Sequence, residues 1–242
     1  MALRLPPLVG HRGAAALAPE NTIAGFEAAA RVGVGWVEFD AKLTRDGVVV
    51  LMHDDTLDRT TDGRGAVAGT DYDAIRRLDA GGWFAPLWRG AAVPRLDAAL
   101  HRLAELGLSP NIEIKPCPGR EAATARAVVE AIRQVWPRRR PLLLSSFELD
   151  SLREVQAVAP ELPRGLLIWG GPAGWRERAA ALACVSVHCA DEELTPDWAR
   201  AIKGAGYQLG VYTVNDPRRA AILRGWGVDC LFTDRPDALA AA

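Results

Sequence analysis

Short apolar runs of β-like composition alternate with amphipathic, helix-length stretches from one end of this 242-residue chain to the other. That alternation constrains the fold more than any other feature. Strands regularly separated by helices call for a parallel sheet with its helices packed outside. Strands are expected at residues 8–10, 36–40, 111–115, 142–146, 165–169, 184–188, 207–213 and 230–233, with 48–52 as an antiparallel addition. Helical periodicity marks 22–32, 95–106, 122–136, 149–159, 196–205 and 217–224. Eight strand–helix units in this length predict a closed α/β barrel. The alternative, an open doubly wound sheet, lacks the Gly-x-Gly-x-x-Gly turn that a dinucleotide crevice carries after an early strand. No repeat, low-complexity tract or linker divides residues 1–242, which read as a single domain. One stretch, about 56–94, breaks the rhythm with Gly63, Gly65, Gly69, Gly81, Gly82, Pro86 and Gly90 beside Trp83, Phe84 and Trp88. It reads as a loop-rich insertion over the barrel mouth, either a packed surface loop or an aromatic wall beside a ligand.

Charge inside the strands is the second constraint. Glu38 and Asp40 share one face of an apolar strand, and two anions are not buried there without a compensating cation, for which a divalent metal is the economical candidate. The turn signal Arg45-Asp46-Gly47 makes a hairpin, and pairing residues symmetrically about Asp46 returns His53 opposite Phe39 and Asp40. The link from Asp40 to Val48 is too short for the parallel alternative. In the next strand Glu113 and Lys115 share a face. They either form a buried ion pair or divide their roles. In the second case Glu113 completes a three-carboxylate set of hard oxygens suited to Mg²⁺, Mn²⁺ or Ca²⁺, and Lys115 faces an anionic ligand.

Further polar residues collect where strands end. His11 and His53 fit a general acid and base, since imidazole titrates near neutral pH, and Arg12 offers a donor fork suited to phosphate. Pro19-Glu20-Asn21-Thr22 precedes a helix and reads equally as an amino-terminal cap or as a site-shaping segment. His101 belongs to a surface helix, while His188, at the end of its expected strand, either touches substrate or packs. With 29 basic and 30 acidic residues interspersed, there is no global field to draw nucleic acid or an anionic membrane, so any anion site is local. The amino terminus lacks the apolar core of a secretory signal and no run reaches transmembrane length, so a cytoplasmic location is expected. Cys117, Cys184, Cys189 and Cys230 show no Cys-x-x-Cys spacing and read as reduced packing residues.

The segments His11-Arg12-Gly13, Pro19-Glu20-Asn21-Thr22, Glu38-Phe39-Asp40, His53-Asp54, Glu113-Ile114-Lys115, Val211-Tyr212-Thr213-Val214-Asn215 and Thr233-Asp234 occur in an order and spacing that resembles the glycerophosphodiester phosphodiesterases. Residues 54–61, 144–147 and 227–230 look like the short cytoplasmic bacterial members. The resemblance spans nearly the whole chain and implies a (β/α)₈ TIM barrel with a β-hairpin after strand 2. It implies a divalent cation, Mg²⁺ first and Mn²⁺ or Ca²⁺ otherwise, on Glu38, Asp40 and Glu113. It makes His11 and His53 the acid–base pair and sets Arg12 and Lys115 on the phosphate. Phe147, His188 and Tyr212 are candidates to line the substrate pocket, Tyr212 standing where many relatives carry tryptophan. The implied reaction is metal-dependent hydrolysis of small-molecule glycerophosphodiesters to sn-glycerol 3-phosphate and an alcohol, with no nucleic-acid partner and no stable membrane association. Two alternatives are a lipid phosphodiesterase resembling phospholipase C or sphingomyelinase D and a non-catalytic phosphodiester-binding barrel. Head group, oligomeric state and the division of labour between the histidines stay open at this stage.

Overall fold

The computed structural model describes residues 3–240. Its strands are β1 (Leu8–Gly10), β2 (Trp36–Leu43), β3 (Val49–Leu51), β4 (Ser109–Ile114), β5 (Leu143–Ser146), β6 (Arg164–Ile168), β7 (Ser186–Ala190), β8 (Gln208–Tyr212) and β9 (Cys230–Thr233). All pair in parallel in one sheet except β3, which lies antiparallel on β2. Pairing of Gly10 with Val37 joins β1 to β2 and shuts the ring, giving a (β/α)₈ TIM barrel with one extra strand outside it. The helices are α1 (Ile23–Val32), α2 (Tyr72–Ile75), α3 (Leu96–Leu106), α4 (Glu121–Val135), α5 (Leu149–Val158), α6 (Trp175–Ala181), α7 (Pro196–Gly204), α8 (Pro217–Gly225) and α9 (Pro236–Ala240). Among the described residues, none is long and apolar enough to cross a membrane.

Strand alternation sorts the side chains. Val37, Phe39 and Ala41 of β2 and Ile112 and Ile114 of β4 face outward into a core with Phe26, Leu100, Leu103 and Val128 of the helices. Phe26 and Phe39 meet at a ring separation of 5.2 Å. A second outer core joins Leu166, Val187, Leu209 and Val211 to Trp198, Ile202 and Leu223. Inside the barrel, Leu5, Val9, Trp36, Leu143, Cys230 and Phe232 form an apolar plug. Further along the same inward faces stand Glu38, Asp40, Asn111, Glu113, Ser145 and His188, all buried.

Apart from shifts of one or two residues at other strand ends and the short helices α2 and α9, which no period marked, three elements differ from expectation. β2 runs on to Leu43 because its far end is paired by the hairpin strand. β7 starts later, so His188 lies at its centre, opposite Leu167 and Gly210, rather than at its end. Helix α6 buries only Trp175 and Ala179 and follows Gly170-Gly171-Pro172, which leaves too weak a period to read. The insertion has its own small core, in which Leu57, Val67, Ile75, Ala80 and Val93 pack on Val50, Met52 and Cys117. The buried ammonium of Lys42 ties it down, donating to Asp55 over 2.7 Å. All four cysteines are buried and free, and His101 is exposed.

The turn between β1 and α1 carries two residues destined for the site and is pinned along its backbone. His11 N donates to Thr233 O at 2.8 Å and Gly13 N to Glu38 O at 3.0 Å. Gly13 sits at φ 92°, and a Cβ there would lie 2.7 Å from the carbonyl carbon of Gly25 in α1. Gly13→Ala combines a left-handed backbone with a clash against a helix, so a loss of about 3 kcal/mol is expected in denaturant unfolding. An unshifted midpoint would show that this turn is not held as rigidly as its contacts indicate.

Candidate active site

Asp40 stands opposite Glu113, and Glu38 opposite Asn111, across the β2–β4 ladder. Glu38, Asp40 and Glu113 are buried and each offers an oxygen within 4.8 Å of the others. Glu38 Oε2 accepts from Arg12 N at 3.0 Å, whereas its Oε1 is buried without a partner. Asn21 grips Asp40 twice, its Nδ2 donating to Oδ2 at 2.8 Å and its Oδ1 accepting from the Asp40 amide at 3.0 Å. Lys115 Nζ donates to Glu113 Oε1 at 2.7 Å and lies 3.7 Å from Asp40 Oδ1, so the ion pair read as one alternative is formed. Arg12 Nη1 donates to Glu20 at 2.8 Å, with its Nε 3.6 Å from Asp40.

Burial, reinforced by the charges of Asp40 and Glu113, pushes the Glu38 carboxyl well above the usual range. Burial and Asp40 likewise push Glu113 up to about 7. Burial opposes ionisation of Asp40 too, but Arg12, Lys115 and His53 overcome it and hold that carboxyl at about 2. Two reluctant carboxylates beside an ionised one, with an unpartnered oxygen among them, make a site short of positive charge. An all-oxygen donor set of this kind fits a hard divalent cation such as Mg²⁺, Mn²⁺ or Ca²⁺.

Each histidine of the site is tied at Nδ1 by an aspartate. His11 Nδ1 is 2.6 Å from Asp234 Oδ1, and His53 Nδ1 is 2.7 Å from Asp54 Oδ1. The Nε2 edges are thereby left for chemistry; that of His11 is 3.9 Å from Glu38 Oε2. Burial lowers the proton affinity of His53, with Arg12 and Lys115 adding to the effect against the pull of Asp40. Asn215 braces Asp234 from two sides, donating to its carboxylate and accepting from its amide, each at 2.8 Å. The Arg59 guanidinium bridges Asp54 and Glu20 through four contacts of 2.7–2.9 Å.

These groups open into a cavity of about 230 Å³. His11, Arg12, Glu38, His53, Asn111, Glu113 and Lys115 line its polar side, and Phe147, Leu167, Trp169, His188 and Tyr212 line the other, with Asp40 buried behind. The Phe147 and Tyr212 rings meet edge to face at 5.8 Å, and Lys115 Nζ lies 5.4 Å from the Phe147 centroid. Trp83, Phe84 and Trp88 of the insertion are not among the lining residues. Trp83 instead donates to Ala80 O and packs edge to face on Phe84, contacts that favour the packed loop of the two readings given for that segment.

All ten residues singled out from sequence as site candidates come to this cavity or its back wall. Others were not legible as such. The two readings of residues 19–22 are both realised, because Thr22 caps α1 by accepting from Gly25 N while Glu20 and Asn21 turn to the site. Asp54, Asp234 and Arg59 fall within segments that carry the family resemblance but had no role assigned to them, and Trp169 only ended an expected strand.

The sequence profile of the Glycerophosphoryl diester phosphodiesterase family matches residues 11–238. A glycerophosphodiester phosphodiesterase of Caldanaerobacter subterraneus subsp. tengcongensis is 33% identical over 236 residues, covering 96% of this chain and 95% of that one. Among solved structures, an Oleispira antarctica phosphodiesterase in complex with the product sn-glycerol-3-phosphate superposes with a TM-score of 0.96 at 38% identity, covering 98% of this chain and 96% of that one. The glycerophosphodiester phosphodiesterase from Agrobacterium tumefaciens str. C58 superposes with a TM-score of 0.84 at 33% identity, covering 98% of this chain and 100% of the other.

Proposed function

The chain belongs to the glycerophosphoryl diester phosphodiesterase family and is a glycerophosphodiester phosphodiesterase; from that premise we propose that it releases sn-glycerol 3-phosphate and an alcohol by metal-dependent hydrolysis, with His11 and His53 as the acid–base pair. The observation that carries this reading is the three-carboxylate cluster beside two histidines, each anchored at Nδ1 by an aspartate. It agrees with the product bound to the Oleispira antarctica phosphodiesterase.

Glu38, Asp40 and Glu113 would hold the cation, which when bound supplies charge stabilisation to the phosphate oxygens. Arg12 and Lys115 remain cationic, because their carboxylate neighbours outweigh the burial that would discharge them, and they set the phosphate in place. One histidine takes a proton from the nucleophile, water or the neighbouring glycerol hydroxyl, and the other gives one to the departing alkoxide. Phe147, Trp169 and Tyr212 offer the alcohol a largely apolar wall.

The test is release of glycerol 3-phosphate from glycerophosphocholine, glycerophosphoethanolamine, glycerophosphoglycerol and glycerophosphoinositol, with Mg²⁺, Mn²⁺ or Ca²⁺ added or chelated. Ion-dependent release is expected. Cleavage of phospholipid vesicles without any of these small diesters would favour a lipid phosphodiesterase, and silence with every ion a binding barrel. The Arg59 bridge gives a finer result. Arg59→Ala frees Asp54 and Glu20 together and should lower kcat by roughly ten- to a hundredfold. Arg59→Lys should recover little, since an ammonium cannot hold two carboxylates with a planar fork. Unchanged steady-state kinetics in both variants would remove Arg59 from the support of His53.

A further inference from the structure

The pocket also holds a group that the proposed chemistry does not use. His188 is fully buried at the centre of β7, in a slot shaped by two glycines. A Cβ at Gly210 on β8 would lie 2.9 Å from His188 Cδ2, and one at Gly165 on β6 would lie 3.2 Å from Cε1 and Nε2. Glycine weakens a strand, and barrel interiors ordinarily fill with branched apolar side chains. Two glycines around one imidazole therefore depart from ordinary packing. The Phe232 ring lies 4.9 Å away, centroid to centroid.

The edges of the imidazole can be accounted for one by one. Nε2 is 3.0 Å from Ser186 Oγ, nearer the start of the strand. Cδ2 faces Gly210, and Cε1 faces Gly165. Nδ1 is left, buried and without a partner, on a residue that lines the cavity. Burial drives the pKa of this ring down to about 3, so it is neutral at any working pH, with one nitrogen donating and the other accepting. Asn111, two residues before Glu113 and lining the same cavity, repeats the pattern. Its Nδ2 donates to Ser145 Oγ at 3.0 Å, while its Oδ1 is buried without a partner. Orphaned buried polar atoms are costly and uncommon. Two uncharged ones, set apart from the cationic Arg12 and Lys115 that would take the phosphate, suit an uncharged partner that both donates and accepts.

We propose that His188 and Asn111 form a hydroxyl-binding floor that receives the glycerol moiety of the substrate, making His188 a specificity residue for polyol phosphodiesters over diesters without hydroxyls. This rests on the function proposed above and adds to it the means by which the glycerol side is chosen.

The experiment compares His188→Phe, which keeps a ring without nitrogen, with the wild type on glycerophosphocholine and on bis(para-nitrophenyl) phosphate, which has no hydroxyl. Under the same divalent ion, kcat/KM for glycerophosphocholine should fall by about ten- to a hundredfold, and by at least about tenfold more than kcat/KM for the aryl diester. Partial recovery in His188→Gln is expected, because an amide restores a donor and an acceptor. Equal losses on both substrates, or none on either, would overturn the floor. Should the phenylalanine variant melt early, the wild-type protein decides. The ¹⁵N resonances of His188 should shift with glycerol 3-phosphate and not with methyl phosphate, and identical responses reject the proposal. A wild type inactive on both diesters would instead defeat the catalytic reading beneath it.

Discussion

Replacing His53 or His11 by alanine is expected to lower kcat for glycerophosphodiester hydrolysis about a thousandfold, within the range that a positioned acid or base supplies. The protection that a divalent ion gives against melting should survive the change. The geometry requires this separation, because neither imidazole belongs to the carboxylate cluster and each is fixed from its far side, His11 by Asp234 and His53 by Asp54. Asp54→Asn and Asp234→Asn keep a partner at each Nδ1 but disturb the tautomer and orientation that the carboxylate fixes, so they should cost less, about ten- to a hundredfold. Turnover and melting with and without Mg²⁺ measure both halves of the expectation. Retained activity in His53→Ala would sink the acid–base assignment, and loss of ion protection in the same variant would place the imidazole among the ligands.

The second large effect is on stability, and its sign follows from the carboxylates. Glu113 titrates at about 7 in the folded metal-free protein against 4.5 in an ordinary environment, and Glu38 is raised in the same direction. The folded state thus holds these protons more tightly than the unfolded one. Stability from this source is full below about pH 4.5 and drains away as pH rises through about 7. At 1.36 kcal/mol per pH unit, the climb of Glu113 alone makes the empty cluster cost on the order of 3 kcal/mol by pH 8. Asp40, depressed to about 2, loses its contribution only in acid, outside this window. His53, depressed by burial, adds stability above its ordinary pKa of 6.5 and loses it as pH falls, which partly offsets the trend. Comparing variants at one pH removes that offset. At pH 8 without metal, Glu113→Gln should melt higher than the wild type, and it should lose both the stabilisation by Mg²⁺ and the turnover. A glutamine variant that melts no higher, or that still responds to the ion, would show that Glu113 is not a strained ligand waiting for charge.

Much of this was legible because a barrel reads its strands locally. The eight runs are each recognisable by composition, and the symmetric pairing about Asp46 matches the hairpin register, with Ala41 opposite Leu51 and Leu43 opposite Val49. Inward alternation then brings Glu38, Asp40 and Glu113 together without knowledge of any contact. What escaped is what depends on closure or on long loops. Arg59 and Glu20 are 39 residues apart and meet only once the insertion folds back, and no periodicity relates a loop guanidinium to a residue two before a helix cap. The position of His188 turned on where β7 begins, a boundary set by β6 and β8 rather than by its own residues. The aromatics of the insertion were visible by type, but the direction they face is decided by a satellite core that assembles from distant segments.

The contact between His11 and Asp234 spans 223 positions, and β1 pairs with both β2 and β9. During synthesis, the early strands and their carboxylates leave the ribosome long before the partner that orients the first histidine. A nascent chain stalled short of β9 lacks both Asp234, which holds His11 Nδ1, and the strand that pairs with one edge of β1. Full turnover is therefore expected only once the last strand seats beside the first, and turnover by ribosome-bound chains of graded length would time the moment of ring closure.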